Sequence, residues 1–254
     1  IIGESISSIK NTLNSANNLL KQESPKMIII CPYKNISLES TLYKNIILLH
    51  DSGEGIYQAM NLGLDYLKEN SSYNWYLNSG DFAINKYLKE RLSFLNNPII
   101  KENDIIFFLN SENKNITNII YNLLKKFDYK DDLIIKIIFL LLIFPSSHQN
   151  VFIKNSIHEQ FDITYKYSAD FNLLAKLLFI NKSTVTIKSG SIATNSKGGI
   201  TDKNRLGTLK ERYLCLNKIL KKSNFLFIRI IPKLSYFVRI IIFFITNFIK
   251  LIIK

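Results

Sequence analysis

The chain has 254 residues, 47% hydrophobic and 21% charged, enough to bury a real core and too apolar to be disordered. Its formal charge of +13 is unevenly placed: from Arg212 onward there are nine Lys or Arg and no Asp or Glu, leaving 24 basic against 20 acidic residues for 1–211. A nucleic-acid surface would spread that excess over a folded face with aromatic or polar readers; an apolar basic tail excludes that class and points to a membrane surface.

The chain opens on Ile1, as expected of a fragment or processed product, and shows no signal peptide. Ile6, Ile9, Leu13, Ala16 and Leu20 recur at helical spacing over 4–21. The run 26–33, closed by Pro32, reads as a buried strand, and 45–51 as a second. Cys31 and Cys215 lack C-x-x-C spacing and suit a reducing compartment. A helix follows with Ile56, Ala59, Met60, Gly63, Leu64 and Leu67 on one face. Strands are expected at 74–78 and 104–110, then a buried helix over 131–145 that is too short to span a bilayer. Another strand is expected at 150–154. Ser168 reads as the N-cap of a helix with Phe171, Leu174, Ala175 and Leu178 inward. A strand at 183–190, a Gly198-Gly199 loop and a helix at 207–221 complete the series. Strands alternating with helices imply an α/β fold with helices on both faces of the sheet.

In 235–254, Arg239, Thr246, Asn247, Lys250 and Lys254 fall within about a third of a helical wheel, with Ile, Phe and Val filling the rest. Only ten residues separate Arg239 from Lys250, too few to span. An interfacial helix with its cations toward anionic head groups accounts for both features; a helix docked on the protein's own core or on a partner is the alternative.

Three places could carry chemistry. In Asn78-Ser79-Gly80-Asp81, a carboxylate ends a strand, where open α/β sheets bind ligands, and Gly80 allows close approach of a phosphate. His148-Gln149 precedes a strand. Asp170 lies in the first turn of a helix, where the dipole favours an acid in any case. Taken singly, the simpler readings are a solvated turn aspartate, a hydrogen-bonded structural histidine and an ordinary helix-start acid.

Their order changes this. The stretches GIYQAMNLGL (55–64), WYLNSGD (75–81), FPSSHQNVF (144–152), FDITYKYSADFNLLAKL (161–177) and KGGIT (197–201) resemble family 2 glycosyltransferases, particularly the colanic-acid type, over about residues 45–205. That resemblance implies a GT-A fold: a nucleotide-sugar-binding mixed sheet with helices on both faces over 1–206, followed by a basic, apolar, amphipathic helical segment over 207–254. It implies inverting hexosyl transfer from a nucleotide-sugar donor to a lipid-linked cell-surface polysaccharide precursor. Asn78 and Asp81 would form the donor and metal turn, holding Mn²⁺ or Mg²⁺ against the departing diphosphate. Asp170 would be the general base. Tyr57 and Asn61 would lie on the donor side, His148 and Gln149 would line the acceptor site, and Gly198 and Gly199 would hinge a closing loop. The protein would then work at the cytoplasmic face of the cell membrane, with its tail on anionic lipid.

Departures from the family pattern gather on the nucleotide half. The family's opening strand has no counterpart here. Cys31 stands where an aspartate ends the next strand, Gln58 replaces the helix aspartate, Gly53 replaces an acid, and Leu109-Asn110 replaces Gly-Asp. A degenerate, non-catalytic relative that binds membrane or partner enzymes is therefore the second expectation.

Overall fold

The computed structural model describes residues 5–16, 27–32, 46–67, 72–84, 103–109, 116–194, 200–221 and 226–252. Near the N terminus, β1 (Met27–Cys31) pairs in parallel with β2 (Ile46–His50). Side chains alternate across a strand, so β1 buries both faces. Ile29 and Cys31 pack with Ile9 and Leu13 of α1 (Ile6–Ser15), while Ile28 and Ile30 join Ala59 and Met60 of α2 (Ile56–Leu67). A Cβ at Gly63 would stand 2.8 Å from Ile30 Cδ1, so the close approach of α2 to β1 is eased by the glycine there, and a side chain would make the Ile30 tip shift.

The central sheet has four strands in the order β3 (Tyr73–Asn74), β6 (Val151–Lys154), β5 (Ile105–Leu109) and β7 (Val185–Ser189). Only β5 and β7 run parallel; the other pairs are antiparallel, which makes the sheet mixed. Its alternation separates two cores. Ile105, Phe107 and Leu109 pack with α4 (Asp131–Leu140), α5 (Ala169–Phe179) and α7 (Arg205–Leu220). Ile106 and Phe108 face Phe152, Ala16 and Ala83, the last in β4 (Phe82–Ala83), which pairs with β8 (Ala193–Thr194). Two further helices, α3 (Ile116–Lys126) and the short α6 (Ile200–Lys203), complete this part.

The expected strand at 74–78 is reduced to Tyr73–Asn74 in the ladder; 75–77 lie outside it and Asn78 makes an isolated bridge before the turn. The helix over 131–145 stops at Leu140, and its Ile134, Ile135, Ile138 and Phe139 are fully buried, as a core helix requires.

The tail forms one helix, α8 (Leu226–Ile252); of the expected polar third, Arg239 is the residue whose side chain falls within the described residues. Arg239 Nε donates to the Leu141 carbonyl at 3.0 Å, and Ser235 Oγ donates to the same oxygen at 2.7 Å. Tyr236 stacks on Tyr213 of α7 at 4.7 Å. The polar edge at Arg239 therefore faces the protein, not head groups. A helix leaves its last carbonyls unpaired, and the end of α4 takes its partners from α8. No described helix is long and apolar enough to cross a membrane.

Candidate active site

Asp81 is not a solvated turn aspartate: it is 2% exposed. A buried carboxylate must be hydrogen-bonded, and Asp81 Oδ2 accepts from the Asn78 backbone N–H at 2.8 Å and from Gln149 Nε2 at 2.6 Å. Helix α1 holds the turn from behind. Gly80, at φ +88°, donates its N–H to Thr12 Oγ1 at 2.9 Å, and Ala83 donates to Ser15 Oγ at 2.9 Å. The Gly80 amide is thus engaged by Thr12 rather than presented to a phosphate.

From this turn a polar chain crosses the site. Asn78 Nδ2 lies 3.1 Å from His148 Nε2, and His148 Nδ1 lies 3.7 Å from Asp170 Oδ2. With the Asn78 amide donating to Nε2, the ring of a neutral His148 carries its proton on Nδ1, toward the carboxylate. Asp170 Oδ1 accepts from the Phe171 N–H at 2.8 Å and the Tyr57 hydroxyl at 3.3 Å. Burial, with the Asp170 charge second, holds the Tyr57 phenol well above its ordinary range, so it acts as a donor. One carboxylate oxygen is pinned; Oδ2, among the described residues, accepts no hydrogen bond. Asp170 lines a small cleft together with Met60, Tyr76, His148, Phe161 and Leu173.

The sequence-derived site divides accordingly. Asp81, Asn78, Gln149, His148, Asp170 and Tyr57 form one connected set. Asn61 does not join it: its Nδ2 donates to the Phe161 carbonyl at 2.9 Å and its Oδ1 accepts the Phe161 N–H at 2.7 Å. With both amide atoms engaged, Asn61 braces the Phe161 loop. Ser168 occupies the N-cap position of α5, but its hydroxyl reaches the Thr208 carbonyl at 3.3 Å instead of capping the helix. Gly198, Gly199 and Asn110 lie outside the described residues.

Two contributors escaped the sequence reading. Thr12 is a small polar residue on a helix, with nothing nearby in the chain to mark it. Arg212 was counted with the basic tail, yet its guanidinium packs over Phe171 at 5.3 Å and Phe144 at 5.6 Å. Burial lowers its pKa from the usual arginine value, and the Asp170 charge opposes that shift.

A divalent cation can be tested against these atoms. Among the described residues, Asn78 Oδ1 and Gln149 Oε1 are buried and accept no hydrogen bond, and they belong to the two residues that bond the Asp81 carboxylate through the Asn78 backbone N–H and Gln149 Nε2. Hard oxygens suit Mg²⁺ or Mn²⁺. Among the described residues no three His, Cys, Asp or Glu gather to cage a metal. The donor set fits an ion that takes few protein oxygens and completes its shell from water and substrate phosphates, as Mg²⁺ does.

A mixed α/β sheet with polar groups gathered at its strand ends is the architecture in which such ligand sites form. Among solved structures, the chain is similar to the crystal structure of S. aureus TarS 1–349, with a TM-score of 0.53. The match covers 86% of this chain and 68% of that one at 14% identity, a likeness of fold alone. No protein-family model and no curated protein sequence matches the chain.

Proposed function

We propose that this chain is an inverting family 2 glycosyltransferase of the colanic-acid type. It moves a hexosyl group from a nucleotide-sugar to a hydroxyl of a lipid-linked polysaccharide precursor at the cytoplasmic membrane face. Residues 1–206 form the transferase core and 207–254 the helical segment that meets the membrane. The observation that carries this reading is the polarised Asp170 carboxylate: Oδ1 is pinned by Tyr57 and Phe171, Oδ2 lies 3.7 Å from His148 Nδ1, and the residue lines the cleft. Oδ2 takes the proton of the acceptor hydroxyl as its oxygen bonds to the anomeric carbon. The bond from that carbon to the diphosphate breaks, and its electron pair leaves on the phosphate oxygen. His148 and Tyr57 fix the plane of the carboxylate. Asp81, with Asn78 and Gln149, would hold a divalent cation, which neutralises charge on the departing diphosphate.

The TarS-like fold supports glycosyl transfer in general terms. A second reading, a non-catalytic relative, has one observation in its favour: β1 ends on a fully buried thiol, Cys31, where the family pattern carries a donor-side carboxylate. Thermal unfolding with UDP- and GDP-sugars, with and without Mn²⁺, separates the two. A donor at a hundred times its Kd stabilises by about 2.7 kcal/mol. The enzyme reading expects a shift that needs both metal and one nucleotide class. It also expects Asp170→Asn to keep that shift while losing turnover about a hundredfold or more. No shift with any donor, or undiminished turnover in Asp170→Asn, overturns it.

A further inference from the structure

Surface helices of water-soluble proteins turn their apolar stripe inward and a polar face outward; α8 packs Pro232 and Tyr236 inward but carries a second apolar stripe outward. Its inward edge is Ser235 and Arg239, bonded to the Leu141 carbonyl, with Tyr236 stacked on Tyr213. Its outward face carries Leu234, Phe237, Val238, Ile241, Ile242 and Ile245, each between 52% and 59% exposed. At 100° per residue these six span a stripe about 140° wide, against about 100° for an ordinary core-facing stripe. Lys233, which is exposed, falls at the border of that stripe.

We propose that this outward stripe enters the interfacial layer of an anionic lipid bilayer, while the Ser235–Arg239 edge keeps the helix fastened to the end of α4. This deepens the membrane-meeting role proposed above for 207–254 and rests on that part of the reading, but not on the catalytic chemistry, which the donor-shift test probes separately.

Charge decides between lipid and a second copy of the chain. From Arg212 onward the sequence holds nine cations and no acid; Arg212 and Arg239 face inward, but Lys218, Lys221, Arg229 and Lys233 are exposed, so apposing two such segments sets like charges together. An anionic leaflet complements them, at about 1 kcal/mol for each cation near its surface. Because Arg239 faces inward, the stripe itself must supply the anchoring. Insertion is then shallow, with the helix lying in the plane of the surface, since no described helix is long and apolar enough to cross.

The test is co-flotation of the whole chain with phosphatidylcholine vesicles, with and without phosphatidylglycerol, beside sedimentation without lipid. The expected result is flotation that requires the anionic lipid and falls about a hundredfold in the double variant Ile241→Glu/Ile242→Glu. Both side chains are exposed, so the variant should keep the native unfolding midpoint, and that measurement excludes misfolding. Neutral-lipid flotation of equal strength, or flotation that survives the double variant, overturns the proposal. So does a lipid-indifferent dimer that the variant dissociates, which would assign the stripe to a second copy.

Discussion

Around Asp81 the chain buries polar atoms and bridges them, whereas along α8 it leaves apolar side chains in the open and turns the polar edge inward. In the first region a carboxylate at 2% exposure accepts from Asn78 and Gln149, and among the described residues the side-chain amide oxygens of those two accept nothing. In the second, a phenylalanine and several isoleucines are about half exposed while an arginine docks on a carbonyl. Each arrangement costs stability in a lone, ligand-free chain, by unpaired buried polar atoms in one case and uncovered apolar area in the other. The difference lies in what would relieve it: a cation and phosphates at the turn, hydrocarbon at the helix.

The largest effect separating the regions should come from Asp81→Ala. It strands the Asn78 N–H and the Gln149 amide in a buried site, and hydrogen bonds to a charged group contribute about 1.5–3 kcal/mol each. Urea unfolding should therefore show a loss of about 4 kcal/mol, together with loss of any Mn²⁺-dependent donor shift. An unchanged midpoint would mean that Asp81 is not the keystone of the turn.

What could be read from the chain followed from length and local pattern. The long periodic elements (α2, α4, α5, β5 and β7) are visible as apolar spacing, and the Asn78–Asp81, His148 and Asp170 segments as motifs in order. The two-residue strands β3, β4 and β8 are too short for any period to show. Thr12 and Arg212 stand 66 and 42 residues from Asn78 and Asp170 in sequence, and only folding brings their roles out. The tail illustrates a deeper limit. A helical wheel separates a polar third from an apolar remainder, but it carries no information on which side meets the protein. At Ser235 and Arg239 the docking partner is the Leu141 carbonyl, which sits on another element.

A smaller effect should appear with pH. Burial depresses the His158 pKa from 6.5 to about 4. Its ring is held by the Tyr76 hydroxyl at 3.2 Å and the Glu159 carbonyl at 2.7 Å, against Phe161. Because the folded pKa lies below the unfolded one, the stability this group contributes is fully present above about pH 6.5 and is lost as pH falls through that value toward 4. The full loss is about 3 kcal/mol at most. Melting at stepped pH should show the slope, and His158→Phe should flatten it; a slope unchanged in that variant would place the acid sensitivity elsewhere.

The smallest effect is the most discriminating for α8. Ser235→Ala removes one of two donors to the Leu141 carbonyl and leaves Arg239 in place, so no acceptor is stranded and the cost should be about 1 kcal/mol. Because the bond joins α8 to the end of α4 and not to the central sheet, the loss should be local. Amide exchange should quicken along α8 with little change in β5 or α5. The stripe itself is untouched by the substitution, so lipid binding should persist even as the helix loosens from the core. If exchange quickened equally in β5, α8 would be part of the global folding unit, and its outward apolar face would have to be explained with the core and not apart from it.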